Sequence, residues 1–251
     1  GHPGHAARDR DAVRGGGVRD RDGARGEGHG LQGRGRGTAG LPREARPRVH
    51  RRMSGAGRAA PTVAIVGAGM GGIAAGVLLR RAGITEFTIF EEAERVGGTW
   101  WHNRYPGAEV DVDSYVYSFP FARHDWSRTH ARQAELHAYL EQVVADQGLT
   151  PHLRLGTGVT RAAWDDDRAG YDLTLSTGEH AFANVVISGV GFLNVPRYPD
   201  WPGLADFAGP CFHTARWEPE HDLDGKRVAV VGTGSTASQV VPALQPRVGE
   251  L

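Results

Sequence analysis

The apolar and polar positions change period along this chain, and each change marks an element. Residues 62–66 are a short, mostly β-branched run that ends in glycines, and residues 73–81 continue in helix-forming types, so the pattern predicts strand, tight turn and helix. Residues 87–90 supply the next strand and complete a β-α-β unit of about 30 residues. Over 131–147, Leu136, Tyr139, Leu140, Val143 and Val144 recur at spacings of three and four, which predicts an amphipathic helix stopped by Gly148. Beyond Pro151, residues 159–164 and 171–175 alternate on either side of an Asp-rich turn and predict a small antiparallel meander. Residues 185–188 read as a buried strand leading into Gly189 and Gly191. Pro196, Pro199, Pro202 and Pro210 then punctuate a long connector, which fits a crossing between domains. Residues 226–231 read as a further strand running into a second glycine turn and a second helix, which Pro242 is placed to kink or interrupt.

The first sixty residues have no such pattern. They hold 15 of the 37 glycines and no Phe, Tyr or Trp, too little apolar surface to offset the entropy of ordering, so a disordered extension is expected over 1–60. Fourteen of the 29 basic residues but only 6 of the 29 acidic ones lie there, so the formal net charge of +0 is the sum of a basic segment and an acidic body. The Arg-Gly stretches lack the stacking aromatics that RNA binding uses, and no nucleic-acid partner is expected. Asp9, Asp11, Asp20 and Asp22, with no serine before Ser54, argue against a transit peptide, and Met53 is a candidate start of translation. Cys211 is the only cysteine, which excludes an intrachain disulfide and a cysteine metal cluster; no metal site is expected. The apolar stretch 63–79 is too rich in glycine for a membrane span, and a cytoplasmic location is expected.

Gly67, Gly69 and Gly72 have the G-x-G-x-x-G spacing between a strand and a helix. Gly67 permits the tight turn, Gly69 lets backbone approach a pyrophosphate, and Gly72 lets the helix pack close to the strand, leaving free N–H groups for phosphate. A lone glycine turn is structural in many enzymes, so the context decides. Here the next strand ends in Glu91, where an acid binds a ribose 2′-hydroxyl and disfavours a 2′-phosphate; this first site suits FAD or NAD. Neighbouring Glu92 reads as a solvated loop residue. Gly232, Gly234 and Ala237 form a second fingerprint with alanine in the third place. Two such sites imply electron traffic between two cofactors. Ser235 sits in the second phosphate loop and lacks the strand-to-elbow pattern of a hydrolase nucleophile.

Between these fingerprints, Gly97, Gly98, Trp100, Tyr105, Pro106, Gly107 and Asp111 are spaced in a way that resembles the upstream signature of Baeyer-Villiger monooxygenases. Phe207, Gly209, His213 and Trp217 resemble that family's second fingerprint, with Glu218 where the family has Pro or Asp. The resemblance covers 62–251 and implies an N-terminal fragment of such a chain. The implied fold is α/β: a Rossmann-like FAD-binding domain over 61–195, made of a parallel sheet plus the meander, a connector over 196–224, and the start of a second Rossmann-like, NADPH-binding domain over 225–251.

The implied chemistry is transfer of hydride from NADPH to FAD, reaction with O₂ to a flavin peroxide, and insertion of oxygen next to a ketone carbonyl to give an ester or lactone. Gly67, Gly69 and Gly72 would hold the FAD pyrophosphate and Glu91 its ribose. Gly98, Thr99 and Trp100 lie in the flavin-covering loop, and Tyr117 matches an FAD-contacting tyrosine. Gly232, Gly234 and Ala237 would serve NADPH. Asp111 matches an acid that lies beside the flavin and orients a catalytic arginine; a buried carboxylate requires such a cation, which this chain does not supply. Trp100, Trp101 and Tyr105 also read as ordinary core aromatics, and His213 as a hydrogen-bonded structural histidine at a domain junction that Trp217 packs. Two alternatives stand beside this one: a flavin monooxygenase that oxygenates nitrogen or sulfur, and an inactive FAD-binding fragment.

Overall fold

Val63, Ala64 and Ile65 have both faces covered, which is why strand β1 (Val63–Val66) reads as a continuous apolar run rather than an alternating one. The structure is a computed structural model that describes residues 60–251; the disorder expected of 1–60 concerns, apart from Ala60, residues outside that range. Helix α1 (Met70–Arg81) follows β1, and β2 (Phe87–Phe90) pairs parallel with β1 in the register Val63 to Phe87 and Ile65 to Ile89. The short helix α2 (Thr99–His102) precedes a long loop and α3 (Gln133–Asp146), which buries Leu136, Tyr139, Leu140, Val143 and Val144 as their spacing predicts. Gly148, at φ +62°, ends that helix in the left-handed conformation glycine tolerates.

Strands β3 (Leu153–Arg154) and β7 (Val185–Ser188) complete a four-stranded parallel sheet in the order β3-β2-β1-β7. Between them, β4 (Val159–Asp165), β5 (Gly170–Leu175) and β6 (His180–Ala183) form the antiparallel meander. The main core lies where α1 and α3 pack on the sheet around Ile65, Ile73, Val77, Ile89, Leu136 and Leu140. A smaller core of Ala64, Phe90, Leu173, Leu175 and Ala183 joins sheet to meander. The α/β class with both sheets is as the sequence predicts.

Two strands differ from expectation. Residues 185–188 do form β7, but at the sheet edge, and Val185 is 43% exposed; one flank meets β1 while no strand covers the other among the described residues. Residues 226–231 do not form a strand. Their single ladder contact is a parallel bridge from Arg227 to Glu250, where Val228 N–H donates to Glu250 C=O at 2.8 Å, because a strand needs a partner along its length and none is present among the described residues. The second helix, α4 (Ser235–Leu244), does form, and it runs through Pro242 without ending. Val240 and Leu244, buried against Tyr105 and Ala108, hold its last turn in place.

Candidate functional site

The turn from β1 to α1 is set by backbone contact. Gly67 has φ +99°, and a Cβ there would lie 2.7 Å from the carbonyl oxygen of Gly189. A Cβ on Gly72 would lie 1.8 Å from the carbonyl oxygen of Gly67, so only glycine lets α1 start this close to the strand. Gly69 caps α1 without a side-chain hydrogen bond, and no acid lies in the first turn. The N–H groups of that turn and the positive end of the helix dipole therefore face outward together, the arrangement that binds phosphate.

Glu91, at the end of β2, is buried and ties this turn down. One carboxylate oxygen accepts from Ala68 N–H at 2.7 Å and the other from Ala93 N–H at 2.9 Å. Glu92 is exposed. The 97–101 segment then locks onto the same turn: Gly97 N–H donates to Ala68 C=O at 2.9 Å. Gly98 has φ +54°, and its Cβ would meet the Gly69 Cα at 2.9 Å. The two glycine motifs are thus in backbone contact, which explains the glycine at 98, whereas Gly97 is set by its φ of +122° and by the His137 ring, 2.8 Å from where its Cβ would stand. Behind them Trp100 is buried; its indole N–H donates to the Tyr117 hydroxyl at 3.3 Å, with the rings edge-on at 5.9 Å. Thr99 is exposed beside it. The structure accordingly brings Gly67, Gly69, Gly72, Glu91, Gly98, Thr99, Trp100 and Tyr117 into one neighbourhood.

Asp111 departs from expectation, because it is exposed rather than buried. The loop carries it to the start of α4, where the Ser235 hydroxyl donates to its carboxylate at 3.1 Å. That contact places Asp111 against the second glycine turn. Gly232, at φ +128°, and Gly234, which caps α4, have open space where a Cβ would stand, and Ala237 is half-buried in the first turns of the helix.

Residues 64–244 match the family model described as pyridine nucleotide-disulphide oxidoreductase. The chain belongs to that family. Its relatives include a Baeyer-Villiger monooxygenase of Streptomyces coelicolor, 48% identical over 190 residues that make up 75% of this chain and 36% of the relative. A Baeyer-Villiger monooxygenase of Pseudomonas aeruginosa is 45% identical over the same shares. Cyclohexanone monooxygenase from Rhodococcus sp. Phi1 bound to NADP+ superimposes with a TM-score of 0.70 at 42% identity, covering 75% of this chain and 37% of that one. The chain therefore spans little more than a third of the length of these relatives.

The segment that holds Phe207, Gly209, His213 and Trp217 has a local logic. The Phe207 ring, 61% exposed, folds over Gly209, where a Cβ would come within 2.8 Å of it. His213 accepts from Ala215 N–H through Nδ1 at 3.1 Å, and its own N–H donates to the Tyr198 hydroxyl at 2.9 Å, so its observed contacts are those of a structural cap. Trp217 stands edge-on to Phe212 and packs on the cluster of Tyr105, Ala108, Val240 and Leu244. Gln239 of α4, which has no motif signal, bonds both Tyr105 and Glu109.

His102, at the end of α2, has its pKa lowered from the ordinary 6.5 by burial first and then by the nearby Arg216 guanidinium. The unfolded chain therefore binds this proton more readily than the fold does. His102 favours the fold fully above about pH 6.5, and that contribution is lost as pH falls through the lowered value. We expect the urea midpoint to drop between about pH 7 and 5, and the drop to shrink in His102→Gln. An unchanged pH profile in that variant would assign the acid sensitivity elsewhere.

Proposed function

We propose that the complete protein is a flavin monooxygenase that uses NADPH and O₂ to insert one oxygen atom next to a ketone carbonyl, giving an ester or lactone and water. The observation that carries this reading is the interlock of the 97–98 glycines with the first dinucleotide turn, backed by Trp100 and Tyr117, in a chain 48% identical to a Baeyer-Villiger monooxygenase. The residues present fit FAD. The uncapped, acid-free start of α1 offers N–H groups to its pyrophosphate, with Gly67, Gly69 and Gly72 clearing the space. Glu91 retains lone pairs for a ribose hydroxyl beyond the two backbone groups it binds. Gly98, Thr99, Trp100 and Tyr117 line the approach to the ring system.

When bound, FAD would supply hydride acceptance and reaction with O₂, the chemistry that amino-acid side chains lack. The Gly232, Gly234 and Ala237 turn would hold the NADPH pyrophosphate. Residues 61–195 act as the FAD-binding segment, 196–224 as the connector, and 225–251 as the opening of the NADPH-binding unit. Phe207, Gly209, His213 and Trp217 shape the connector between them. The setting is cytoplasmic; among the described residues no helix is long and apolar enough to cross a membrane.

The protein made from the complete gene tests this directly. Bound yellow flavin, NADPH oxidation and ester formation from a panel of ketones are expected together, and oxygenation of amines or sulfides without any ester would move the assignment to nitrogen or sulfur chemistry. Asp111 contributes charge beside the second turn, as the anion that orients an arginine supplied by the rest of a relative-length protein. Asp111→Ala is expected to lower oxygenation by roughly a hundredfold while stability changes by no more than about 0.5 kcal/mol, as for other exposed sites. Wild-type turnover in that variant would remove Asp111 from the mechanism.

A further inference from the structure

One face of α4 is committed to the loop that leads away from the flavin-facing segment. Ser235, Gln239 and Ala243 follow one another at intervals of four and align along the helix. Ser235 bonds Asp111, and Ala243 lies under Gly107, where a Cβ would come within 2.5 Å of the Gln239 carbonyl oxygen and 3.0 Å of the Ala243 methyl. Gln239 does most in this contact. Its amide oxygen accepts from the Tyr105 hydroxyl at 2.8 Å and from Glu109 N–H at 3.4 Å, and its Nε2 donates to Glu109 C=O at 2.9 Å.

A side-chain amide that bonds both the N–H and the C=O of one residue fixes the orientation of the peptide groups on either side of it. An apolar residue of the same shape would fill the same volume and leave the Glu109 N–H and C=O without this partner. Tyr105 is a steady donor in this arrangement, since burial above all pushes its phenol above the ordinary value and keeps it protonated. Along the chain, the clamped residues begin three positions after α2, the helix that carries Trp100. Gln239 itself stands one turn of α4 beyond Ser235, the residue that follows the second glycine turn directly. A displacement of α4 at that turn is therefore carried by a rigid helix to the 105–111 loop.

We propose that Gln239 is a positioning residue that transmits nucleotide binding at the second glycine turn to the 105–111 loop beside the flavin-facing segment. The inference rests on the reading of that turn as the NADPH site. Its test is amide hydrogen exchange in the FAD-loaded complete protein, with and without NADP+, alongside calorimetric binding of NADP+ and the flavin content of each variant. In the wild type, NADP+ slows exchange over 105–111. In Gln239→Leu, basal exchange over 105–111 rises about tenfold, as for loss of hydrogen bonds at a part-buried loop, flavin content is retained, and NADP+ no longer slows it. Gln239→Glu keeps the acceptor contacts, loses the bond to Glu109 C=O and gives an intermediate response, which also serves if the leucine variant does not fold.

Protection by NADP+ that persists at the wild-type level in either variant overturns the role of Gln239. Binding of NADP+ to the wild type without protection of 105–111 overturns the transmission alone. Failure of the wild type to bind NADP+ overturns the NADPH reading, and the transmission with it. Loss of flavin in parallel with the faster exchange would mark Gln239 as a general support of the fold and would also sink the proposal.

Discussion

Alanine at Gly72 is expected to destabilise the protein by about 3 kcal/mol or more and to abolish stable flavin retention. The added methyl would sit 1.8 Å from the Gly67 carbonyl oxygen and 2.9 Å from its carbon, and both are backbone atoms. No rotamer change relieves such a contact. Nor can the turn recede, because Gly67 is itself pressed against the Gly189 carbonyl at the end of β7, and Gly189 in turn lies close to Gly72. The remaining escape is for α1 to lift from β1, which would open the packing of the fully buried Ile73 and Val77 and misplace the N–H groups of the first helical turn. Gly71 is the matched control: a Cβ there meets nothing within 4 Å. Gly71→Ala should be neutral or stabilise by about 0.5–1 kcal/mol, as alanine does within a helix. Urea unfolding and flavin content of the two variants decide the matter, and equal behaviour would show that the close approach at Gly72 is not what holds the turn.

This contrast also shows what the sequence carries and what it leaves silent. The fingerprint glycines are legible because a steric requirement acts between residues a few positions apart, so spacing alone encodes it. The α3 stripe is legible for the same reason: one face of one helix meets one core. Strand β3 is only two residues long, β6 (His-Ala-Phe-Ala) lacks the β-branched run that marks the equally short β1 and β7, and α2 is a single turn defined by its glycine cap. Residues 226–231 have the composition of a strand, but composition cannot supply a partner. The burial expected of Asp111 fails because its surroundings are set by α4, more than 120 positions away along the chain.

The least legible parts of the site are its polar ties. Gln239 bonds residues 130 and 134 positions away, and nothing in the sequence marks it. Tyr139 reads as one more apolar position of α3. Its hydroxyl in fact accepts from Phe119 N–H and donates to Ala122 C=O, fixing the long loop from inside. Ser114, fully buried, does the same by donating to Thr129 C=O and accepting from Ala131 N–H. Apolar periodicity reports which face is inside; it carries no information on which backbone groups of an irregular loop need partners.

Glu91 joins both kinds of requirement, and Glu91→Leu is expected to cost about 3 kcal/mol even without flavin. Sequence spacing assigns this carboxylate to a ribose. The structure adds two backbone partners, Ala68 N–H inside the first glycine turn and Ala93 N–H just past β2. Leucine fits the volume but strands both donors, and the penalty for an unpaired buried donor is about 1–3 kcal/mol each. Glu91→Gln keeps one acceptor oxygen and turns an NH₂ toward the other donor, so it should fall between leucine and the wild type. Urea unfolding of flavin-free protein separates the two roles. A scaffold carboxylate shows its full cost without flavin, whereas a group that only binds ribose leaves that stability unchanged and weakens flavin affinity alone. If the flavin-free stability of Glu91→Leu matches the wild type, the clamp on Ala68 contributes nothing to the fold, and the turn must be held by its glycine contacts with 97–98 and Gly189.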